Sequence, residues 1–211
     1  MLTVLFGLAG SGKNYVGKVI AEHFDSFFWD ADDALTAEMK ACIKERKDFT
    51  KQMMVVYIEI VIEKIMALQK QHKNLIVAQA LYSEINRKKI YDKFQHAIFV
   101  YVTADLPVIH QRLDNRKDWV DKDYAESFRH FFQEPTLPHK TLINNNGKAE
   151  VISQAHSILS EMKEVDAACN RIRFFKAVAA ESPRYPLAAC DTANNLIADY
   201  LSSTQCASSL W

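Results

Sequence analysis

The segment Gly7-Leu8-Ala9-Gly10-Ser11-Gly12-Lys13-Asn14 constrains this chain more than any other. It keeps the spacing GxxxxGK[ST] at every defined position except the last. An apolar run at 2 to 8 precedes it, and helical spacing through Val16, Val19, Ile20 and Phe24 follows it. Strand, glycine loop and helix in that order build an anion cradle. Glycine backbone turns where other residues cannot, so successive N–H groups face inward, and the helix N-terminus adds its positive dipole end. Lys13 then brings a mobile point charge to the β and γ phosphates of a nucleotide. The chain has only 5 glycines in 211 residues, and Gly7, Gly10, Gly12 and Gly17 all lie within this opening stretch.

Asn14 departs from the pattern. A Ser or Thr hydroxyl at that place ligates Mg²⁺ and contacts phosphate, whereas an amide oxygen reaches a metal with different geometry. Asp30 and Asp32 supply the missing oxygens. The spacing predicts a strand over 27–32, in which residues two apart face one side, so both carboxylates would point at the loop. One would hold Mg²⁺ through water while the other orients or deprotonates an acceptor hydroxyl. Asp33 is expected to cap the following helix. Arg112 and Arg116, four apart on a helix, share a face opposite Ile109 and Leu113 and can clamp a transferred phosphoryl group.

The rest of the chain alternates between strand and helix. Thr50 is placed to cap a long helix, with Tyr57, Ile58, Val61 and Ile65 among its apolar residues. Leu75 to Leu81 and Ala97 to Ala104 are continuous apolar runs, as parallel strands covered on both faces require. Asp105 caps a further helix with Leu106 and Pro107 in its first turn. A short strand at 141–144 and a helix from about 148 to 163 complete the alternation. The reading is a three-layer α/β/α fold with a five-stranded parallel sheet over residues 1–165, plus a C-terminal helical extension over 166–211. Ligands of such sheets sit at the carboxyl ends of the strands.

Composition narrows the partners. With 26 basic and 26 acidic residues the net charge is +0, so no long-range field draws nucleic acid or an anionic membrane. The 4 cysteines show no CxxC spacing, which fits free thiols in a reducing cytosol, and the chain is expected to be cytoplasmic with no membrane span. The extension could pack on its own domain or pair two copies, so monomer and homodimer both stand.

Together these residues resemble the small metabolite kinases of the shikimate kinase and gluconate kinase group, within the nucleoside-monophosphate-kinase-like P-loop fold. The glycine loop opens the chain, and Asp30-Ala31-Asp32 stands where those families carry DxD. The segment 75–90 looks like the gluconate kinase strand and helix, and RLDNRKD (112–118) looks like the start of a mobile lid over about 112–135. The resemblance implies ATP on Gly7, Ala9, Gly10, Ser11, Gly12, Lys13, Asn14 and Tyr15, with Asn145 and Asn146 near adenine and Mg²⁺ on Asn14 and Asp30. It implies catalysis by Lys13, Asp32, Arg112 and Arg116. Gln79 and Tyr82 would line an acceptor pocket with Asp32, and Lys51 or Arg87 would meet an acidic group there. The glycines and the helix arginine that mark a shikimate pocket are missing, so a gluconate-like sugar acid or other carbohydrate-like acceptor is expected. A nucleotide-binding regulatory protein without catalysis is the alternative.

Overall fold

The apolar runs of the sequence become five strands of one parallel sheet in the computed structural model, which describes residues 1–115 and 122–160. The strands are β1 (Leu2–Phe6), β2 (Phe27–Asp30), β3 (Leu75–Ala78), β4 (Ile98–Thr103) and β5 (Lys140–Ile143), in the spatial order β2-β3-β1-β4-β5. Every neighbouring pair is parallel; Val4 of β1 stands opposite Val77 on one side and Phe99 on the other. All residues of β1 and β3 are buried, which explains why these strands read as unbroken apolar runs rather than alternating ones.

Helices α1 (Lys13–His23), α2 (Ala37–Lys44), α3 (Lys51–Gln69), α4 (Glu84–Lys93), α5 (Leu106–Asp114) and α6 (Lys122–Arg129) follow in order, and α7 begins at 148. The main core joins Phe6, Val77 and Phe99 of the sheet to Ile58, Val61 and Ile65 of α3. Thr50 caps α3 as expected, its Oγ1 accepting from Met53 N–H at 3.1 Å. Gly17, the fourth glycine of the opening stretch, is not part of the phosphate loop. It lies inside α1, where a Cβ would stand 2.3 Å from the Phe28 ring, so its smallness serves the packing of α1 on β2.

The strands end earlier than the sequence suggests, and this shapes the carboxyl rim. β1 stops at Phe6 and β3 at Ala78, leaving two long loops that bond to each other through Gly7 N–H and Ala80 O at 3.3 Å. β2 stops at Asp30, and a 3₁₀ turn over Ala31–Ala34 follows. The expected N-cap role of Asp33 is therefore not found: Asp30 caps the turn and Thr36 caps α2, with Thr36 Oγ1 accepting from Met39 N–H at 3.2 Å. Met1–Ser157 forms one compact unit. The expected extension over 166–211 lies outside the described residues.

Candidate active site

Gly12 caps α1 with φ 88°, and a Cβ there would stand 2.3 Å from Asn144 Nδ2. That closeness lets the end of β5 grip the phosphate loop. Asn144 Nδ2 and Arg112 Nη1 both donate to Ser11 O, at 3.0 and 3.2 Å, while Arg112 Nη2 donates to Asn144 O at 2.7 Å. Ile109 and Leu113 form a small buried cluster against which Ala9 packs, so one face of α5 supports the loop apolarly and Arg112 supports it by hydrogen bonds. Burial pulls the Arg112 guanidinium down from its usual value, with Tyr15 opposing; an arginine nonetheless stays charged. From the other side, Ala9 N–H donates to Tyr82 Oη at 3.3 Å. Lys13 Nζ reaches back to Leu8 O at 2.9 Å, which sets its ammonium against the loop.

Asn14 lies in the first turn of α1, and its Nδ2 donates to Asp30 Oδ2 at the end of β2. The second oxygen of Asp30 accepts the Asp32 N–H at 3.1 Å. This corrects the reason expected for the pairing of Asp30 and Asp32. They do not share a strand face; the turn that Asp30 caps carries Asp32 round into the same cleft.

That cleft has a volume of about 1320 Å³ and opens beside the loop. It exceeds the few hundred to 1,000 Å³ typical of a single small-ligand pocket. Of the expected site residues, Ala9, Gly10, Gly12, Lys13, Asn14, Asp30, Asp32, Lys51, Gln79, Tyr82 and Arg112 line it. Gly7 and Ser11 are buried in the loop, and Tyr15 is exposed on α1, away from the lining. Asn145 and Asn146 also stand outside the lining: Asn145 Oδ1 accepts Asp105 N–H at 2.9 Å and Asn146 N–H donates to Glu150 Oε2 at 3.0 Å, which shapes the turn before α7. Arg116 and most of the turn between α5 and α6 lie outside the described residues.

Two residues of the site carry no motif. Tyr57 is 1% exposed on α3; its Oη donates to Ala31 O at 2.9 Å and accepts from Gln79 Nε2, while Gln79 Oε1 accepts the Ala80 N–H. This chain of bonds ties the Asp30–Asp32 turn to the loop after β3. Burial pushes the Tyr57 phenol up from its usual value and the Asp32 carboxylate pushes it further, so the phenol stays protonated. In the sequence Tyr57 reads as one more apolar position of a buried helix, and Asn144 as the end of a strand. Only its place at the carboxyl rim could have singled out Asn144.

Arg87 departs from the expected acceptor-binding role because it is fully buried, stands outside the cleft lining and is bonded within the fold. Nη1 donates to Leu81 O at 2.8 Å, Nη2 to Gln133 O, and Nε to Glu84 Oε2 at 2.5 Å, with the guanidinium near the rings of Phe6 and Phe132. Leu81 has φ 46°, a left-handed conformation that is costly for leucine, and Arg87 fixes its carbonyl. Glu84 Oε1 accepts from Thr136 N–H, Thr136 Oγ1 and Leu137 N–H at 2.9, 2.6 and 3.0 Å. Burial acts to raise the Glu84 carboxyl, but its bonds with Thr136 and Arg87 outweigh this and bring it down to about 2. The Arg87–Glu84 pair clasps the segment 133–137 to the wall of the cleft.

The donor set suits a hard cation of the Mg²⁺ type. Such an ion takes one or two carboxylates, keeps several waters and borrows phosphate oxygens. Asn14, Asp30 and Asp32 offer side-chain oxygens at the mouth of the loop. Among the described residues no group of three or more His, Cys, Asp or Glu could enclose a metal alone.

The chain matches the family described as shikimate kinase over residues 9–163, and it belongs to that family. No curated protein sequence matches significantly. Among solved structures, a sugar kinase from Janibacter sp. HTCC2649 is similar with a TM-score of 0.66 at 16% identity, over 75% of this chain and 94% of that one. A gluconokinase from Sinorhizobium meliloti 1021 has a TM-score of 0.64 at 19% identity, over 77% and 93%. An APS kinase from Mycobacterium tuberculosis, determined with AMPPNP and APS, has a TM-score of 0.56 at 16% identity, over 75% and 96%. These likenesses show a P-loop kinase fold, and family membership makes the chain an ATP-using small-metabolite kinase. Among the described residues no helix is long and apolar enough to cross a membrane.

Proposed function

We propose that this member of the shikimate kinase family transfers the γ-phosphoryl group of ATP to a hydroxyl of a small acceptor held in the cleft beside Asp32. The observation that carries the reading is the convergence of Lys13, Asp32 and Arg112 on one cleft next to the loop. The acceptor oxygen bonds to the γ-phosphorus as the bond from that phosphorus to the β,γ-bridging oxygen breaks. The electron pair leaves on ADP, and the hydroxyl proton passes to the Asp32 carboxylate and on to water. Lys13 and Arg112 neutralise charge on the phosphoryl group, and Arg112 does so while it anchors the loop. Asn14 and Asp30 would hold Mg²⁺, which would supply positive charge to offset that of the nucleotide phosphates.

Removing Lys13 tests the assignment. Lys13→Ala is expected to weaken ATP binding in calorimetry and to lower turnover by about 100-fold or more. Unchanged ATP binding and turnover would sink it. A carbohydrate-like acceptor fits the family group by analogy, but likeness of fold carries no substrate. Tight, metal-independent ATP binding without transfer would favour a regulatory role, for which the amide at Asn14 is the motivating residue.

A further inference from the structure

The cleft wall mixes apolar and polar side chains, so its preference is set by the polar groups that the fold leaves unspent. Many are engaged. Asp30 accepts from Asn14 and from Asp32 N–H, Gln79 bonds Tyr57 and Ala80 N–H, and Tyr82 Oη accepts from Ala9 N–H. Gln133 Oε1 accepts from Glu84 N–H at 2.7 Å. Lys40 and Lys51 also line the cleft, but both are exposed and keep their hydration.

Helix α4 differs. Ser83, Asn86 and Lys89 follow at intervals of three, which sets them along one helix face, and all three line the cleft. Ser83 stands at the N-cap, yet its hydroxyl makes no capping bond. Asn86 and Lys89 are half-buried, and among the described residues no hydrogen bond or ion pair engages either side chain. The adjacent Lys88, by contrast, is exposed and pairs with Asp92 at 3.1 Å. The aspartates of the lining, Asp30, Asp32, Asp33 and Asp48, leave Lys89 unpaired. A half-buried ammonium forfeits hydration, and without an anion beside it nothing offsets the loss.

Geometry selects the anion. The three residues span ~9 Å of helix axis, and a helical lysine stem reaches back toward the N-terminal turn, so the donors can meet one group from separate directions. A planar carboxylate is matched best by an arginine fork. The arginine of α4, Arg87, is buried outside the lining. A phosphomonoester offers three terminal oxygens, one for each of the hydroxyl, amide and ammonium donors.

We infer, building on the kinase reading above, that Ser83, Asn86 and Lys89 form an oxyanion subsite and that the acceptor is an alcohol already carrying a phosphomonoester. That group is anchored on α4 while a free hydroxyl of the same molecule lies at Asp32. The reaction is the transfer already written, with this hydroxyl as the attacking oxygen and the resident phosphate unchanged. A cleft of about 1320 Å³ has room for such an acceptor beside the nucleotide phosphates.

The experiment begins with calorimetry on the full chain loaded with AMPPNP and Mg²⁺, which fills the phosphate loop. Glycerol 3-phosphate and inorganic phosphate are expected to bind about tenfold more tightly than D-glycerate and acetate. Lys89→Met is expected to weaken glycerol 3-phosphate about tenfold with Tm retained, whereas Lys88→Met leaves it unchanged. With ATP in place of AMPPNP, transfer to glycerol 3-phosphate, ribose 5-phosphate and sorbitol 6-phosphate is compared with transfer to glycerol, ribose and sorbitol. The best phosphorylated acceptor is expected to exceed the best parent alcohol about tenfold in kcat/KM, and Lys89→Met to abolish that advantage. Carboxylates bound equally well, phosphate binding indifferent to Lys89, or no transfer to any phosphorylated acceptor would overturn the inference and leave the kinase reading standing. Failure of AMPPNP to bind would remove the kinase reading and this inference with it.

Discussion

The Asn14 amide donates to Asp30 Oδ2, so the residue standing where phosphate loops of this spacing carry a hydroxyl spends a donor on a carboxylate. Asp30 is held at its other oxygen by Asp32 N–H at 3.1 Å. A cation that wants Asp30 therefore competes with two hydrogen bonds.

Asn14→Thr removes one of these competitors and supplies a hydroxyl. Mg²⁺ is expected to bind about tenfold more tightly, equivalent to about 1.4 kcal/mol. A Mg²⁺ titration of ATP turnover checks this, and an unchanged metal dependence would refute the competition argument. Asp30→Asn should shift the titration in the opposite direction.

Arg112→Lys keeps the charge but cannot bridge two carbonyls with a planar fork. Ser11 O and Asn144 O then lose their arginine donor. Turnover is expected to fall about 100-fold, with Tm lower by several degrees, because loop anchoring and charge neutralisation share this side chain. Steady-state kinetics and thermal unfolding on one preparation decide it; a normal kcat would show that Arg112 only braces the loop.

Tyr57→Phe leaves the Ala31 carbonyl and the Gln79 amide without their shared partner. An unpaired buried polar group costs about 1–3 kcal/mol, so the urea midpoint should drop accordingly. The drop is expected to be constant across pH 6 to 9, since burial and the Asp32 charge keep the phenol protonated well above that range. In the same variant the acceptor KM should rise more than the ATP KM, because the Asp30–Asp32 turn is freed and the phosphate loop is not.

Glu84 links stability to acid. Its folded carboxyl titrates at about 2, below the ordinary value of 4.5. A depressed folded value means that the unfolded chain takes up the proton first. The stabilisation is therefore complete above about pH 5 and is lost as pH falls through the window from 4.5 to 2. Against Glu84→Gln, the Tm advantage of the parent chain should be level above pH 5 and shrink steadily below it. An advantage independent of pH down to 3 would exclude the linkage.

The sequence made the donor side of the fold legible because its information is local. Glycine spacing, an apolar run before it and a helical pattern after it all lie within 24 residues. β1, β3 and β4 follow from continuous apolar runs of the kind a doubly covered parallel sheet requires. The acceptor side depends on partners far apart in the chain. Nothing near Arg87 foretells that the Gln133 and Leu81 carbonyls will accept from its guanidinium, and nothing near Tyr57 foretells a bond to Ala31. The turn after β2 misled for a related reason: the Asp30 side chain, by bonding Asp32 N–H, ends the strand that alternation would have continued.

The strand order β2-β3-β1-β4-β5 divides the labour of the molecule. β1 is central, and the chain spends residues 27–93 entirely on one flank of it before crossing to β4 and β5 on the other. The turn with Asp32, the Tyr57–Gln79 bond and the cleft walls from α2, α3 and α4 belong to the first flank; the Arg112–Asn144 clamp belongs to the second. On the kinase reading proposed above, exchange of the one contiguous stretch between α1 and β4 would remake most of the cleft wall while the phosphate loop and the Arg112–Asn144 clamp, which lie outside it, keep their sequence, which gives this architecture a natural seam for diversification.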